Sequence, residues 1–175
     1  MKNIILSAIM LVSVLTMAQE TAANKFFETH SGQEGYTSVY ITEYMFDLFS
    51  KISNEEEGRE FKEVTSKLKS IKILTIDSLQ NVKENGLFVK ELSSGPFKTQ
   101  YKELMIIKDG PQTIKFLLNE EGGKISEFLM IIYGGSKEPV LIFLEGDIDL
   151  KNISKLSKTM NVNGFEYLDN IEKEN

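Results

Sequence analysis

The residues of this chain that could do chemistry are mainly carboxylates, since it contains one histidine, no cysteine and 26 acidic residues. His30 stands in a polar stretch beside Ser31, and we interpret it as a solvated loop residue. A catalytic triad combines a histidine with a serine and a carboxylate, but no G-x-S-x-G turn presents a serine here. The lack of cysteine excludes thiolate catalysis and disulfides, and one histidine alone is too few ligands for zinc.

Glu145, Asp147 and Asp149 alternate along the chain, which places three carboxylates on one side of an extended segment. Oxygen ligands of this kind suit a hard cation such as Ca²⁺. The segment lacks the later glycine and glutamate of an EF-hand loop, and aspartate is a favoured cap at a helix N-terminus. We therefore predict a helix cap at Asp149, no metal and no cofactor.

A pair of carboxylates can also hydrolyse glycosides, but among 26 acidic residues some pair must lie close together. The chain has no Trp to stack against a sugar. Gly122-Gly123 and Gly134-Gly135 resemble fragments of phosphate-binding loops, yet neither stands in a G-x-G-x-x-G motif or opens a helix. We interpret both pairs as hairpin turns, assign no catalytic residue, and keep a carboxylate-dependent hydrolase as the alternative function.

The first residues have the pattern of a signal peptide. Lys2 supplies a positive charge, residues 4–15 are apolar, and Ala18 ends the segment with a small side chain. The apolar stretch is shorter than the roughly 20 residues that span a bilayer, so we expect membrane contact only during export. We predict a signal peptide at 1–18, a single domain at 19–175 and a location in the periplasm or cell envelope.

The elements that carry these residues predict an α+β fold with a mainly antiparallel sheet. Residues 101–145 contain four apolar runs between turn-forming segments, which indicates a central four-strand meander. Five to six strands are predicted, at 36–41, 71–76, 101–108, 113–118, 125–133 and 140–145. About four helices are predicted, at 42–52, 54–68, 78–94 and 149–160, after a weak helical signal at 21–29. The helix after Thr42 carries an amphipathic stripe of Met45, Leu48, Phe49 and Ile52.

Residues 128–132 and 140–144 are apolar at every position, so both faces of these strands must be out of water. Either helices cover both faces, or one face receives a protein partner, a second copy or a small apolar ligand. The net charge of −6 disfavours nucleic acid. We predict a non-catalytic binding or interaction module that uses an apolar sheet face, with a homodimer allowed and a component of envelope signalling as a further alternative.

Several short segments, in this order, are similar to those of a known family: residues 36–41, 71–74, 101–105, 125–127 and 146–150. Over nearly the whole predicted mature chain, the sequence resembles the domain of unknown function 4252 family, small exported proteins of Bacteroidota. The resemblance implies a location in the bacterial envelope. It implies no activity and gives no residue a role.

Overall fold

The computed structural model describes residues 20–53, 55–76, 82–135 and 138–153. Its strands are β1 (Tyr36–Thr42), β2 (Leu68–Ile76), β3 (Lys102–Asp109), β4 (Gln112–Glu121), β5 (Lys124–Tyr133) and β6 (Val140–Ile148). Its helices are α1 (Ala22–His30), α2 (Glu43–Ile52), α3 (Glu55–Thr65), α4 (Val82–Leu92) and α5 (Pro96–Gln100). A further helical segment begins at Leu150. The predicted signal peptide, the start of the helix predicted at 78–94 and the chain after Ile153 lie outside the described residues.

The strands form one sheet in the order β1-β2-β6-β5-β4-β3, and every neighbouring pair is antiparallel. The last four strands follow one another as a meander, and β2 joins β1 to it by pairing with β6. The prediction of an α+β fold with a mainly antiparallel sheet is confirmed.

Two glycines determine the conformation of the turn between β4 and β5 of the meander. Gly122 and Gly123 have φ of 61° and 80°, and the pair Glu121 and Lys124 closes the turn. Positive φ at both central residues is the type I′ hairpin, whose twist matches that of the two strands. Glycine adopts this conformation at little steric cost, so the chain returns directly into β5.

Both faces of the sheet are packed, because successive residues of a strand point to opposite sides. On the first face, α2 and α3 pack over a core that contains Phe116, Phe128, Met130, Ile142 and Leu144. On the second face, α1, α4 and α5 pack over Leu117, Leu129, Ile131, Leu141 and Phe143. The apolar runs of β5 and β6 therefore fill two cores. An open apolar sheet face along these strands, one of the two arrangements that the sequence allowed, is wrong for the part of the chain described.

The structure also refines two local predictions. The weak signal near the start is a full helix, α1, whose apolar side chains Phe26 and Phe27 are buried in the second core. The helix after Ser53 ends at Thr65, and Leu68 already belongs to β2. Ser53 ends α2 by donating its hydroxyl to the carbonyl of Phe49 at 2.9 Å. None of the described helices is long and apolar enough to cross a membrane.

Candidate functional site

Helix α2 turns most of its apolar side chains toward solvent. Thr42 is both the last residue of β1 and the N-cap residue of α2, so the helix starts directly from the strand. Phe46 is the only buried residue of α2. The amphipathic stripe that the sequence predicted is present, but it forms the outer face of the helix and leaves Phe46 alone to enter the core.

We call the outer face of α2 the α2 apolar surface, formed by Tyr44, Met45, Leu48, Phe49 and Ile52. Tyr44 and Ile52 are 76% and 70% exposed, and the other three are between 41% and 49% exposed. Single exposed apolar residues are ordinary on protein surfaces, but contiguous apolar patches mark sites of interaction. Five such residues on ten positions of one helix make a contiguous patch.

Helix α2 cannot easily rotate to bury this surface, because Phe46 and also Phe49, at the border of the surface, pack against α3. The ring of Phe61 lies 4.8 Å from the ring of Phe49 and 6.3 Å from that of Phe46, centroid to centroid. Gly58 lets the helices approach so closely that a Cβ at this position lies only 2.5 Å from the carbonyl oxygen of Ser50. The apolar face is therefore presented by a helix with a fixed inner contact.

Charged residues form a row along α2 that meets the α2 apolar surface at Lys51. Glu43, Asp47 and Lys51 recur every four positions, so they lie along one edge of the helix, and all three are exposed. Lys51 also lines a small concavity of about 320 Å³ between α2 and α3, together with Arg59 and Lys62. The acidic end of this edge is at the helix N-terminus and the basic end at its C-terminus, which complements the helix dipole.

The two edge strands of the sheet differ in how well they are protected against pairing. Strand β3 carries charged residues at both ends, and its register shifts between Glu103 and Met105. Charges and bulges of this kind prevent an edge from pairing with another chain. Strand β1, which leads directly into α2, contains no charged residue, and its register with β2 has no shift.

A second candidate site is a polar cleft of about 950 Å³ at one end of the sheet. It is lined by the acidic residues Glu20, Glu120, Glu121, Glu127 and Glu145 and by two lysines, Lys69 and Lys102. A row of polar residues crosses the sheet here, because cross-strand pairing brings Asn119, Glu127, Glu145 and Ser70 side by side. The cleft thus contains a pair of neighbouring carboxylates, Glu127 and Glu145.

Glu127 is the buried member of that pair, with 4% of its surface exposed. Its Oε2 accepts a hydrogen bond of 2.5 Å from the hydroxyl of Tyr101, which in turn accepts one of 3.3 Å from the backbone N–H of Ala23. Burial, together with the hydrogen bond and negative charge of Glu127, raises the pKa of Tyr101 well above its usual value. This network connects α1, the C-cap residue of α5 and strand β5, so it has a clear structural role.

The carboxylates that alternate at the end of β6 do not converge on one point. Glu145 accepts a hydrogen bond from Ser70 at 3.4 Å, and Asp147 forms an ion pair with Lys124 at 3.1 Å. Asp149 accepts a hydrogen bond of 3.0 Å from the backbone N–H of Lys151, which confirms the predicted cap. Across the residues described, no three His, Asp or Glu side chains are grouped so that they could hold a metal ion.

His30 is not the solvated loop residue that its polar surroundings predicted. It is the last residue of α1, and its side chain is only 16% exposed. The imidazole stacks on Tyr36 at 4.8 Å and contacts Phe26 at 4.4 Å, and its Nε2 lies 3.7 Å from a carboxylate oxygen of Glu91. Its position among aromatic rings indicates a packing role and places it away from the carboxylates of the cleft.

Lys72 is a buried cation that the sequence did not reveal. It is 5% exposed, and its ammonium lies 5.0 Å from the ring of Tyr40, with two further rings close by, those of Phe27 and Phe143. The ammonium donates a hydrogen bond to Asn24 and lies 3.7 Å from a carboxylate oxygen of Glu28. Lys72 therefore fixes α1 to the second face of the sheet. The pattern around Lys72 indicates its burial only weakly: its neighbours at i−2 and i+2, Ser70 and Leu74, share its face and are also buried.

A family model described as a domain of unknown function (DUF4252) matches residues 27–156 of the chain. No curated protein and no solved structure matches it.

Proposed function

We infer the function of this chain from its own surfaces, because it belongs to the DUF4252 family, whose description assigns no activity. We propose that it is a non-catalytic interaction module of the cell envelope that binds a protein partner through the α2 apolar surface. The envelope location rests on the signal peptide predicted at residues 1–18.

The observation that carries the proposal is the orientation of α2. A helix of a globular protein usually turns its apolar stripe toward the core, whereas α2 buries Phe46 and exposes five other apolar residues. The sheet itself offers no such surface along β5 and β6, since residues 128–131 and 141–144 are at most 5% exposed. We therefore place the binding surface on this helix, and no longer on the sheet face that the sequence predicted.

A protein partner fits this surface better than a membrane does. Helices that lie in a membrane interface carry lysine and arginine on their polar side, which attract anionic lipids. The polar edge of α2 carries Glu43 and Asp47 against one Lys51, and the whole chain has a net charge of −6. Anionic lipid headgroups repel such a surface, whereas a protein partner can supply both apolar contact and matching charges.

Photo-crosslinking in the producing cell tests the proposal. A photoreactive phenylalanine analogue replaces Tyr44, the most exposed of the five residues, and a matched control places it at Ile106, which is 39% exposed on β3. We expect protein adducts from position 44 and few from position 106. Adducts to lipid alone, no adducts, or equal adducts at the two positions would count against binding through α2.

A carboxylate-dependent hydrolase is the second candidate, and the direct pairing of Glu127 with Glu145 in the cleft favours it. Two adjacent carboxyl groups are the catalytic pair of most glycosidases. A panel of chromogenic glycosides incubated with the purified chain and with Glu127→Gln tests this function. Turnover by the wild type that disappears in the variant would support this function. No turnover on the panel would count against it and leave Glu127 with a structural role.

A further inference from the structure

We propose that the free edge of β1 binds an extended segment of another protein, which pairs with it as an added strand. Strand β1 stands at the edge of the sheet and has β2 on one side only. Strand addition takes its affinity from main-chain hydrogen bonds and its specificity from alternate side chains. It concerns a different surface from the α2 apolar surface and does not depend on binding there.

The register identifies the backbone groups of β1 that point away from β2. The N–H of Ile76 donates to the carbonyl of Pro139, just before β6, so the backbone groups of Ile76 face β6. In an antiparallel pair, opposite residues alternate between facing each other and both facing away. Tyr36 lies opposite Ile76 and therefore faces outward. The same orientation recurs at two-residue intervals, at Ser38, Tyr40 and Thr42.

Ser38 and Tyr40 carry the free outward groups. The N–H of Tyr36 donates to the carbonyl of Gln33, and Thr42 is the N-cap residue of α2. Within the described part of the chain, the backbone groups of Ser38 and Tyr40 have no hydrogen-bond partner. Their spacing is about 7 Å, which is the two-residue repeat of another extended backbone. Lipid tails and apolar ligands offer neither donors nor acceptors, so the edge selects a polypeptide strand.

This edge is open and lacks the features that prevent strand addition. Val39 and Tyr40 are 43% and 58% exposed, one on each face of the strand. Charged side chains, prolines and bulges normally protect an edge strand. Strand β1 has none of these, whereas β3, at the other edge, has charged ends and a shift in register. The difference between the two edges indicates that β1 is the one used for binding.

The side chains of β1 define the chemistry of the added segment. Val39 shares the first face of the sheet with Ile41, which packs against the core there. A residue opposite Val39 meets its exposed apolar side chain, so we expect that residue to be β-branched or otherwise apolar. On the second face, the exposed ring of Tyr40 favours an aromatic or β-branched neighbour. The segment is therefore an uncharged strand of about five residues.

Amide hydrogen exchange of the purified chain, followed by NMR, tests whether the edge is free. We expect the amides of Ser38 and Tyr40 to exchange on the order of 100-fold faster than those of Val39 and Ile41, which face β2. Equally slow exchange at all four positions and at every protein concentration would show that the chain covers its own edge, and would overturn the proposal. Protection of Ser38 and Tyr40 that grows with protein concentration would identify a second copy as the occupant, and would overturn binding of another protein.

Photo-crosslinking in the producing cell tests the strand pairing itself. A photoreactive analogue replaces Thr37 or Val39, which are both exposed and lie two residues apart on one face. We expect adducts from both positions to one segment of one protein, at attachment points about two residues apart. A control at Ile106, on the β3 edge, should give few adducts. Adducts to unrelated proteins, or attachment points without this spacing, would contradict strand addition.

Ser38→Pro removes an outward N–H and leaves the hydrogen bonds to β2 in place, and proline is tolerated at such edge positions. Ser38→Ala is the matched control, because it keeps the N–H and loses only the 2.9 Å hydrogen bond between the hydroxyls of Ser38 and Ser31. With the analogue at position 37, we expect Ser38→Pro to lower the adduct yield by about tenfold or more, because an acceptor of the partner stays unpaired, and Ser38→Ala to leave it unchanged.

Thermal unfolding checks that both variants are folded. Val39→Lys places a charge on the edge at an exposed position and gives the same test if Ser38→Pro does not fold. Adduct yields that are equal in wild type and in these folded variants would overturn the proposal. Adducts from position 44 without any from positions 37 and 39 would retain the α2 apolar surface and reject the β1 edge. The reverse result would retain strand addition and reject binding through α2.

Discussion

Replacing Gly58 by alanine should destabilise the protein, although the same change in a helix is usually favourable. Alanine is preferred over glycine inside a helix by about 1 kcal/mol. At Gly58, however, the added Cβ would lie 2.5 Å from the carbonyl oxygen of Ser50, whereas ordinary contacts begin at 3.4 Å. Helices α2 and α3 must therefore separate by up to about 0.9 Å, the difference between these two distances.

The expected loss of stability follows from the contacts that this separation weakens. A gap of 0.5–1 Å loses roughly a quarter to a half of the dispersion energy of the contacts that it opens, and these include the contacts of Phe61 with Phe46 and Phe49. Overpacking typically costs about 1–3 kcal/mol. Subtracting the helix preference leaves an expected net loss of about 1 kcal/mol in the free energy of unfolding.

Gly86 in α4 provides a matched control, because a Cβ built there has no atom within 4 Å. Gly86→Ala should raise the free energy of unfolding by about 0.5–1 kcal/mol. Urea unfolding of the wild type and both variants, followed by circular dichroism, measures the two changes. If Gly58→Ala stabilises the protein as much as Gly86→Ala does, α2 is not held closely on α3 and the reasoning about its fixed outer face fails.

Phe116→Ala should lower the free energy of unfolding by about 3–5 kcal/mol, because the ring is fully buried on the first face; a loss below about 1 kcal/mol in urea would contradict that placement. Tyr101→Phe should cost about 1–3 kcal/mol near neutral pH, because it removes the hydroxyl that donates the 2.5 Å hydrogen bond to the buried carboxylate of Glu127. Because the pKa of Tyr101 is raised in the folded state, its contribution is complete below the unfolded value of about 10 and decreases above it, so the variant should lose less stability than the wild type between about pH 9 and pH 11. Mass spectrometry of protein from the producing cell should find a chain that begins at Gln19, and a chain that retains residues 1–18 would refute the predicted signal peptide.

The meander could be predicted from the sequence because its strands and turns are specified by residues that are close together in the chain. Gly122 and Gly123 define one turn between two runs of alternating or apolar residues, and antiparallel neighbours need only such turns. The uniformly apolar residues 128–132 likewise indicated that both faces of their strand lie out of water, before any helix was placed. The pairing of β2 with β6 could not be predicted in this way, since no residue pattern in either strand identifies its distant partner.

The candidate sites were harder to predict because they depend on contacts between distant parts of the chain. The spacing of Leu48 and Ile52 defines an apolar stripe, but periodicity does not say whether a stripe faces the core or solvent. Alternation places Glu127 on the same face as Leu129, but no local signal shows that its carboxylate is buried with a hydrogen bond from Tyr101, 26 residues earlier. Lys72 was hidden for the same reason: its aromatic neighbours come from three different elements.

The pairing of β2 with β6 has a consequence for how the chain is made. All of α4, α5 and β3 to β5 lies between these two strands, and β6 is the last strand of the sheet to be synthesised. Until it emerges, β2 lacks one of its two neighbours and neither core can close, so Phe26, Phe27 and the apolar side of β2 remain exposed to water. Contacts of such long sequence separation form slowly and leave aggregation-prone segments exposed in the meantime. We therefore expect a nascent chain stopped before Val140 to bind holdase chaperones more persistently than the completed one.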